Sequence, residues 1–467
     1  MRNSMNRHEK QNTNARSHVF VSPAKRKQDW LPSGLVWIVF VVSATRLFGW
    51  ISRYAVNMFF SDQWDFNDAT LFEKHSLWEM FRWQHGPHRQ GMGALISYFV
   101  EPHFRWNSRT ESFCIGGLIV IAAACAMWLK KRIAGTLTYF DVCIPLIFFT
   151  PLQFGQIFVV ANWAHGPLPL FLIILYCLAW TIPRVSWRYG LVLAINFVTI
   201  YTGFGLFIGM ITPLALAADY HVSIRKMYRG QLLFLGSLLL SLGSFASFFA
   251  HYVYTPAVGC EPNMFQSPGI YGRFVTLMFA NVLGAKGLAA FPSVIGAMLL
   301  ASLLAALAIN CKRLQLVMEA MEYRYLIPAI LIAYSLVFSA IAAYGRSCVG
   351  LPEAQVSRYV MYMELGLLGL YLSLSTIRRN ILRLTLLVTL TMTVAGTAIV
   401  RRDDRIAMGY YRDLKKDWRA CYLAYTDIAT CDRLTGHWIY GEAEGNALKE
   451  KLEYLKQTKQ NLYADAK

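Results

Sequence analysis

Three aspartates lie close together in the segment SDQWDFND, which begins at Ser61. A carboxylate that is partly shielded from water can take a proton from a hydroxyl group and so act as a general base. Asp62 and Asp65 are the candidates for that role, with a purely structural role as the alternative for each. For Asp68 we favour the structural role, in which it caps a helix predicted over residues 68–82.

A second polar motif, QHGPHRQ, covers residues 84–90. Its Gly-Pro pair predicts a turn, which would bring His85, His88 and Arg89 together at the start of the next helix. An arginine donates two parallel hydrogen bonds to a phosphate, and the N-terminus of a helix attracts anions. The motif therefore predicts contact with a polar substrate or a phosphate. Binding of a divalent metal by the two histidines and a structural role are the alternatives, although no third metal ligand is evident.

These motifs lie between long apolar runs. Of the 467 residues, 56% are apolar and 15% are charged, whereas a soluble protein carries roughly 25% charged residues. An apolar run of about 18 residues spans a bilayer as a helix, because only a helix satisfies all of its backbone hydrogen bonds in lipid. We predict an all-α polytopic membrane protein with about 10–11 transmembrane helices. The predicted spans are 34–53, 113–130, 141–159, 167–182, 189–201, 204–218, 231–251, 289–309, 323–344, 359–377 and 384–400.

The net charge is +18, and lysines and arginines cluster beside the ends of the apolar runs. That pattern sets the orientation of a membrane protein, with basic loops in the cytoplasm, so nucleic acid is not an expected partner. To keep every basic cluster on the cytoplasmic side, the run 189–218 must break at Thr202-Gly203 into two helices. For the same reason we predict that 273–286 is a half-inserted or interfacial helix on the outer side.

Two arginines flank a short polar segment on the predicted outer side. Arg346 precedes this segment, and Arg358 ends it and is followed by Tyr359. Basic residues are disfavoured on that side, so an anionic group such as a lipid phosphate is expected to offset their charge. The alternative is an ion pair with Glu353 or with the aspartates of the first motif.

Cysteines in the predicted outer segments are candidates for disulfides, which an oxidising periplasm permits. Cys421 lies close in sequence to Cys431, and Cys260 and Cys348 both fall in outer loops. The nine cysteines show no metal-binding spacing.

The predictions divide the chain into three regions. Residues 1–33 form a disordered, basic cytoplasmic tail. Residues 34–400 form the transmembrane domain, whose first periplasmic loop is 54–112. Residues 401–467 form a small periplasmic helical subdomain packed on the outer loops. Its helices are predicted from apolar residues that share a face, namely Trp418, Tyr422 and Tyr425, then Leu448, Leu452 and Leu455.

The layout resembles that of the GT-C superfamily of membrane glycosyltransferases, which includes protein O-mannosyltransferases and lipid A aminoarabinose transferases. The resemblance lies in a basic cytoplasmic start, one helix, and an acidic motif directly after it. It implies two amphipathic helices in the first outer loop, which would match residues 68–82 and 88–101. It also implies a catalytic acid at Asp62 or Asp65, and it covers most of the chain as a layout.

The resemblance further implies a bacterial inner-membrane enzyme whose donor is a sugar on polyprenyl phosphate. Arg346 and Arg358 would hold the donor phosphate, and the aspartate would deprotonate the hydroxyl group of a glycan or lipid acceptor, with inversion at the anomeric carbon. His85, His88 and Arg89 would bind donor or acceptor. Nothing in the sequence resembles a Gly-rich loop for a nucleotide donor, and no cofactor is implied with certainty.

Three other functions fit a chain of this composition. A polymerase or ligase of O-antigen polysaccharide also has many spans and outer arginines, but its large loop usually lies late in the chain. A transporter would carry ionisable residues within its spans; here Arg46 and Glu364 are the few candidates. The third is a non-catalytic scaffold.

Overall fold

The computed structural model of the chain describes residues 30–221, 228–256, 260, 267–316, 323–377, 379–441 and 447–464. The described residues are almost entirely helical, and strands are confined among them to the pair Gln84–His85 and His88–Arg89. The all-α prediction is confirmed. Most of the predicted cytoplasmic tail and several predicted basic clusters lie outside the described residues.

Outside residues 141–159, the helices of the apolar part follow the predicted runs, and short helices lie in the first loop. They are α1 (Trp30–Tyr54), α2 (Gln63–Phe66), α3 (Leu77–Phe81), α4 (Gly91–Val100), α5 (Ser108–Ala134), α6 (Cys143–Phe148), α7 (Pro167–Trp180), α8 (Val185–Ile200), α9 (Leu206–Asp219), α10 (Tyr228–Phe248), α11 (Pro268–Val282), α12 (Ala290–Leu316), α13 (Tyr323–Arg346), α14 (Val360–Ser375) and α15 (Asn380–Thr397).

Six helical stretches in the described part of the chain are long and apolar enough to cross a membrane. They include α1, α5, α12 and α13. Large apolar side chains on α1 remain exposed, such as Ile38 at 62% and Val42 at 62%. An exposed apolar belt on long helices is the mark of a surface in contact with lipid, and the chain is therefore a multi-pass membrane protein.

The helix bundle has two chemically different ends. At one end, Lys130 pairs with Asp141 at 2.8 Å, Arg188 pairs with Asp219 at 2.9 Å, and Arg313 donates to the Thr376 hydroxyl at 2.9 Å. We call this the basic end. At the opposite end, which we call the tail end, α1 finishes, α5 begins and the C-terminal residues pack. The described basic clusters thus share one end, as the orientation argument requires.

The run 189–218 breaks where the sequence predicts. α8 ends at Ile200 and α9 begins at Leu206, with a 3₁₀ turn over Gly203–Gly205 between them. The ion pair of Arg188 with Asp219 joins the far ends of the two helices, so they form a hairpin whose turn lies at the tail end.

One predicted span is wrong. Residues 141–159 do not form a single helix: α6 stops at Phe148, and a 3₁₀ turn at Pro151–Gln153 and a π-helical turn at Gly155–Val159 follow. Pro151 has no N–H to continue the helix. Gly155 is needed because a Cβ atom there would lie 2.1 Å from the Ser357 hydroxyl oxygen.

The segment predicted as half-inserted is α11. Near its start, the Tyr271 ring stacks on Tyr344 at 6.4 Å, close to the tail end of α13. Near its finish, the Asn281 amide donates to the Val356 carbonyl at 3.3 Å. Both ends of α11 thus contact segments at the tail end, and its half-inserted or interfacial placement stays a prediction.

The C-terminal residues form three helices, α16 (Arg402–Tyr425), α17 (Ile428–Thr435) and α18 (Leu448–Thr458). Leu448, Leu452 and Leu455 are buried, as are Trp418 and Tyr422, in a core shared with the first loop. Tyr425, predicted on the same face, is 61% exposed.

Candidate functional site

Asp65 lies in α2, a single helical turn directly after the end of α1. Its carboxylate accepts hydrogen bonds from the Tyr440 hydroxyl of the C-terminal subdomain and from the His85 ring at 3.3 Å. Burial raises the pKa of Asp65, but these hydrogen bonds and the charges of His85 and Lys451 outweigh it, so the net pKa is below its usual value. Asp65 is therefore a partly buried carboxylate that is ionised at neutral pH.

The other two aspartates of the motif differ from Asp65 in their contacts. Asp62 accepts a hydrogen bond from the neighbouring Ser61 hydroxyl at 3.2 Å. Asp68 pairs with Lys451 of α18 at 2.7 Å, although burial raises its pKa above the usual value. Asp68 does not cap a helix over 68–82, because that segment is divided into a π-helical turn at Asp68–Phe72 and the short α3. Its role is to attach the subdomain to the loop.

His85 and His88 lie on a two-stranded hairpin and not at a helix start, which corrects the sequence prediction. They face each other across a turn formed by Gly86 and Pro87. The φ angle of Gly86 is +55°, a conformation that glycine adopts readily. The His85 ring stacks on Trp83 at 5.7 Å and meets the edge of Phe66 at 4.9 Å. These aromatic contacts fix the ring beside the Asp65 carboxylate.

A third histidine, His165, completes the cluster. Its ring lies 5.3 Å from His88, and both rings pack on Phe204, at 5.3 Å and 4.1 Å. Phe204 reaches this position because Gly203 lets the α8–α9 turn approach the Ala164 carbonyl, which a Cβ atom would meet at 2.6 Å.

Both half-buried histidines, His88 and His165, are held in the neutral form. Burial, together with the positive charges of Arg346, His85 and Arg358, lowers the pKa of His88 to about 3. Burial and the same neighbours lower the pKa of His165 well below its usual value. A neutral imidazole has one donor and one acceptor nitrogen, so each ring can bind a hydroxyl-bearing ligand.

The segment before α7 that carries His165 is fixed by buried polar contacts. The Trp163 ring N–H donates to the Glu101 carboxylate at 2.9 Å, and the Ala164 N–H donates to the Asn162 side chain at 2.8 Å. Burial raises the pKa of Glu101 to about 7. These contacts position the histidine from outside the cluster.

Arg346 is the last residue of α13, and its charge acts on both His88 and His165. Within the described part of the chain, its side chain has neither an acidic partner nor a hydrogen bond. It is half-buried. A guanidinium in this state is an open site for an anion.

Arg358 is in a different state. It forms an ion pair with Glu353, which also accepts a hydrogen bond from the Tyr359 hydroxyl at 3.3 Å. Burial lowers the pKa of Arg358, but Tyr359 and Glu353 outweigh it, so the net pKa is raised. The ion-pair alternative considered from the sequence is therefore the observed arrangement for Arg358, whereas Arg346 has no acidic partner in the described part of the chain.

Arg89 is not available to a ligand, which corrects a second prediction. Its side chain is 3% exposed and donates to the carbonyls of Phe248 at 2.8 Å, Ala250 at 2.6 Å and Arg82. It thus binds the C-terminal end of α10, where carbonyls lack helical partners. Its function in the structure is to attach the hairpin to α10.

The predicted residues converge in part. Asp65 contacts the histidine cluster through His85, and the charge of Arg346 acts on the other two rings, His88 and His165. The segments that carry Asp65 and Arg346 are the two that the sequence predicts. Among the described residues, no three His, Cys, Asp or Glu side chains are arranged to hold a metal ion. Both proposed disulfides are formed, Cys260 with Cys348 and Cys421 with Cys431.

Sequence reasoning missed His165 and Tyr440. The motif NWAHGP around His165 contains a histidine before a Gly-Pro pair, as the motif at 85–87 does, and this shared pattern was the available signal. Tyr440 stands in a polar stretch without a motif. Burial and the hydrogen bond to Asp65 raise its pKa, so it is a neutral donor to the carboxylate.

The arrangement combines an ionised carboxylate, three imidazoles and a guanidinium that has no acidic partner among the described residues. All of these groups lie at the tail end of the bundle. It can deprotonate a hydroxyl group, bind further hydroxyl groups and stabilise an anion. Searches against models of known protein families, characterised proteins and solved structures found no match to this chain.

Proposed function

We propose that the protein is a membrane glycosyltransferase that moves a sugar from a polyprenyl-phosphate donor to a hydroxyl group of a glycan or lipid acceptor. One observation carries the proposal. The histidine cluster contacts the Asp65 carboxylate through His85, and its His88 ring lies within reach of the charge of Arg346, a guanidinium without an acidic partner among the described residues.

Asp65 has the features of a general base. It is ionised at neutral pH because hydrogen bonds and nearby positive charge lower its pKa, and it is only partly exposed. Asp62 lies three positions earlier, and among the described residues its one hydrogen-bond donor is its neighbour Ser61. We therefore assign the base to Asp65.

The phosphate of the donor is assigned to Arg346. The guanidinium would bind the phosphate oxygen that gains charge as its bond to the sugar breaks. A fixed cation at that position lowers the barrier to sugar transfer. The neutral rings of His88 and His165, on which the charge of Arg346 acts, can bind sugar hydroxyls without adding charge.

In the proposed reaction the acceptor hydroxyl gives its proton to Asp65 as its oxygen attacks the anomeric carbon. The bond between that carbon and the phosphate oxygen breaks, and the electron pair leaves with the polyprenyl phosphate. Attack from the side opposite the leaving group inverts the anomeric configuration. Proton, electron pair and leaving group are all accounted for by Asp65 and Arg346.

The test is transfer of a radiolabelled sugar from a panel of polyprenyl-phosphate sugars by the purified full chain in lipid. Asp65→Asn should lower kcat by about 10²–10⁴-fold, because it removes the base and keeps the shape. Asp62→Asn is the matched change in the same loop and should retain activity.

Full activity of Asp65→Asn would contradict the proposal, as would the absence of transfer from every donor in the panel by the unaltered protein. Loss of activity in Asp62→Asn alone would move the base to that residue. Asp403→Asn, a change at an exposed carboxylate in the first turn of α16, controls for general effects of charge removal.

A further inference from the structure

A groove of about 730 Å³ lies at the tail end of the bundle, apart from the histidine cluster. It is formed where α1 ends, α5 begins and α16 passes over both helices. Arg109, Lys416 and Arg419 contribute to its lining, together with Asn57, Phe113 and Leu423. The groove is thus bounded by two membrane-spanning helices and one helix of the C-terminal subdomain.

The charge of the groove has one sign. Three of its lining side chains are cationic, and among the described residues that line it there is no aspartate or glutamate. Arg109 and Lys416 are exposed, and Arg109 uses one nitrogen to donate to the Ser52 carbonyl at 3.1 Å. Cations that line one wall without a carboxylate among the lining residues attract a phosphate or another anion.

The groove lies at the level where lipid headgroups are expected. Its floor includes the residues just after Tyr54, the last residue of α1, and those beside Ser108, the first of α5, and both helices are apolar enough to cross a membrane. Basic side chains at such a position gain from anionic headgroups. A site for a free anion would not need to lie at the ends of two spanning helices, whereas a site for a lipid headgroup would.

An apolar stripe continues from the groove along α5. Phe113 stacks on Phe48 at 6.1 Å, Gly117 has no neighbouring atom within 4 Å of an added Cβ, and Ile121 is 51% exposed. These α5 residues are four positions apart and so share one helical face. The stripe offers a path for an acyl chain directly below the cations.

We infer that this groove binds the phosphate headgroup of an anionic glycerophospholipid from the surrounding bilayer, with an acyl chain along the stripe of Phe113, Gly117 and Ile121. The inference does not depend on the proposed glycosyl transfer. Arg109 and Lys416 bind the phosphate, and the lipid links α16 to the ends of α1 and α5.

The test uses the purified full chain in detergent, titrated separately with phosphatidylglycerol, phosphatidylcholine and inorganic phosphate, with bound lipid counted by native mass spectrometry. The unaltered protein should prefer phosphatidylglycerol to phosphatidylcholine by on the order of tenfold. The double variant Arg109→Gln/Lys416→Gln should lose that preference. Ala420→Trp, which fills the groove and leaves the charges in place, should weaken binding of phosphatidylglycerol as well.

The matched control is Lys449→Gln/Lys456→Gln, which removes two exposed cations from α18 outside the groove and should leave the preference intact. Equal binding of the two lipids by the unaltered protein would overturn the inference. So would an unchanged preference in the Arg109/Lys416 variant, or an equal loss in the control. Displacement of phosphatidylglycerol by an equal concentration of inorganic phosphate would identify a free anion site and overturn it too.

Discussion

Glu353 makes the two arginines near α14 chemically unequal. It pairs with Arg358 and accepts a hydrogen bond from Tyr359, whereas Arg346 has no acidic partner among the described residues. An ion pair that is already formed must be broken before its arginine can bind a phosphate, and breaking a partly buried pair is costly. At the residue scale, the expected phosphate contact therefore belongs to Arg346.

This assignment predicts different effects of neutralising the two arginines. Arg346→Gln should lower kcat/KM for sugar transfer by about 10²–10³-fold, because a cation at the leaving phosphate is lost. Arg346→Lys should restore part of it. The double variant Arg358→Gln/Glu353→Gln removes a pair without leaving a lone charge, and its loss of kcat/KM should be much smaller. Equal losses in both variants would contradict the distinction.

The neutral state of His88 has a consequence for stability. Its pKa falls from 6.5 to about 3 in the folded protein, so the unfolded chain binds a proton more readily. Stability should therefore be fully present above pH 6.5 and decrease as the pH falls from 6.5 towards 3. Thermal unfolding followed by fluorescence should give a shallower decrease of Tm with falling pH in His88→Asn than in the unaltered protein.

Glu101 provides the internal comparison because its shift has the opposite sign. Burial raises its pKa from 4.5 to about 7, so the folded state favours the protonated acid. Its contribution to stability should be present below pH 4.5 and decrease as the pH rises through about 7. Glu101→Gln should flatten that part of the Tm profile. For His88, the contradicting result would be a plot of Tm against pH for His88→Asn that runs parallel to that of the unaltered protein.

At the scale of elements, the first loop is attached to the bundle by the hairpin that carries His85 and His88. Arg89, at the end of this hairpin, donates to the carbonyls of Phe248 and Ala250 at the end of α10. The arginine therefore acts as a cap for a helix distant in sequence, and the hairpin keeps its histidines in place through it.

Replacement of Arg89 by Ala should lower the stability of the protein by about 3 kcal/mol, because buried carbonyls lose their donors. The loss should be visible as a decrease in Tm by thermal unfolding in detergent. Arg89→Lys retains the charge but cannot donate to three carbonyls at once, so it should be intermediate. A stable Arg89→Ala variant with a raised KM for the donor would instead support the phosphate role first predicted for Arg89.

The contact of α11 with α12 depends on the absence of a side chain. A Cβ atom at Gly296 would lie 1.7 Å from the backbone carbonyl oxygen of Thr276, so the helices would have to separate. Gly296→Ala should cost about 1–3 kcal/mol, measured as a fall in Tm. Gly243→Ala in α10, where an added Cβ meets nothing within 4 Å, is the matched control and should have little effect. Equal effects would show that the close approach is not needed.

At the scale of the whole molecule, the C-terminal subdomain is part of the site. Tyr440 donates to Asp65, Lys451 pairs with Asp68, and the Asn461 side chain donates to the Trp106 carbonyl at 2.7 Å. The chain thus returns to its first loop after its last apolar helix, and residues from both ends of the sequence form one surface.

The positive-inside rule predicts that this tail end faces the periplasm. Alkaline phosphatase fused after Lys467 should be active and green fluorescent protein fused there should be dark. When the same reporters are fused after Leu316, at the basic end of α12, alkaline phosphatase should be inactive and green fluorescent protein should fluoresce. The same signals at both fusion points would contradict the alternation of the helices, and the reverse pattern would place the site in the cytoplasm.

Much of the fold could be predicted, whereas the site could be predicted only in part. The spans, the break at Thr202-Gly203 and the two disulfides follow from apolar runs, basic clusters and loop positions. The wrong span over 141–159 arose because its apolar composition outweighed Pro151 in the prediction. For the candidate site, Asp65 and Arg346 were proposed from their positions beside spans, and Glu353 was one of two possible partners for the arginines. The carbonyl partners of Arg89 were not predicted.

The sequence by itself determined that this chain is an all-α membrane protein, because lipid forces each apolar run to satisfy its backbone locally and basic residues mark the run ends. Only the tertiary structure decided which charges are free. Glu353 neutralises Arg358, carbonyls of α10 hold Arg89, and Tyr440 joins Asp65 from the far end of the chain. Such contacts depend on how distant segments pack, and residue spacing within one segment does not encode them.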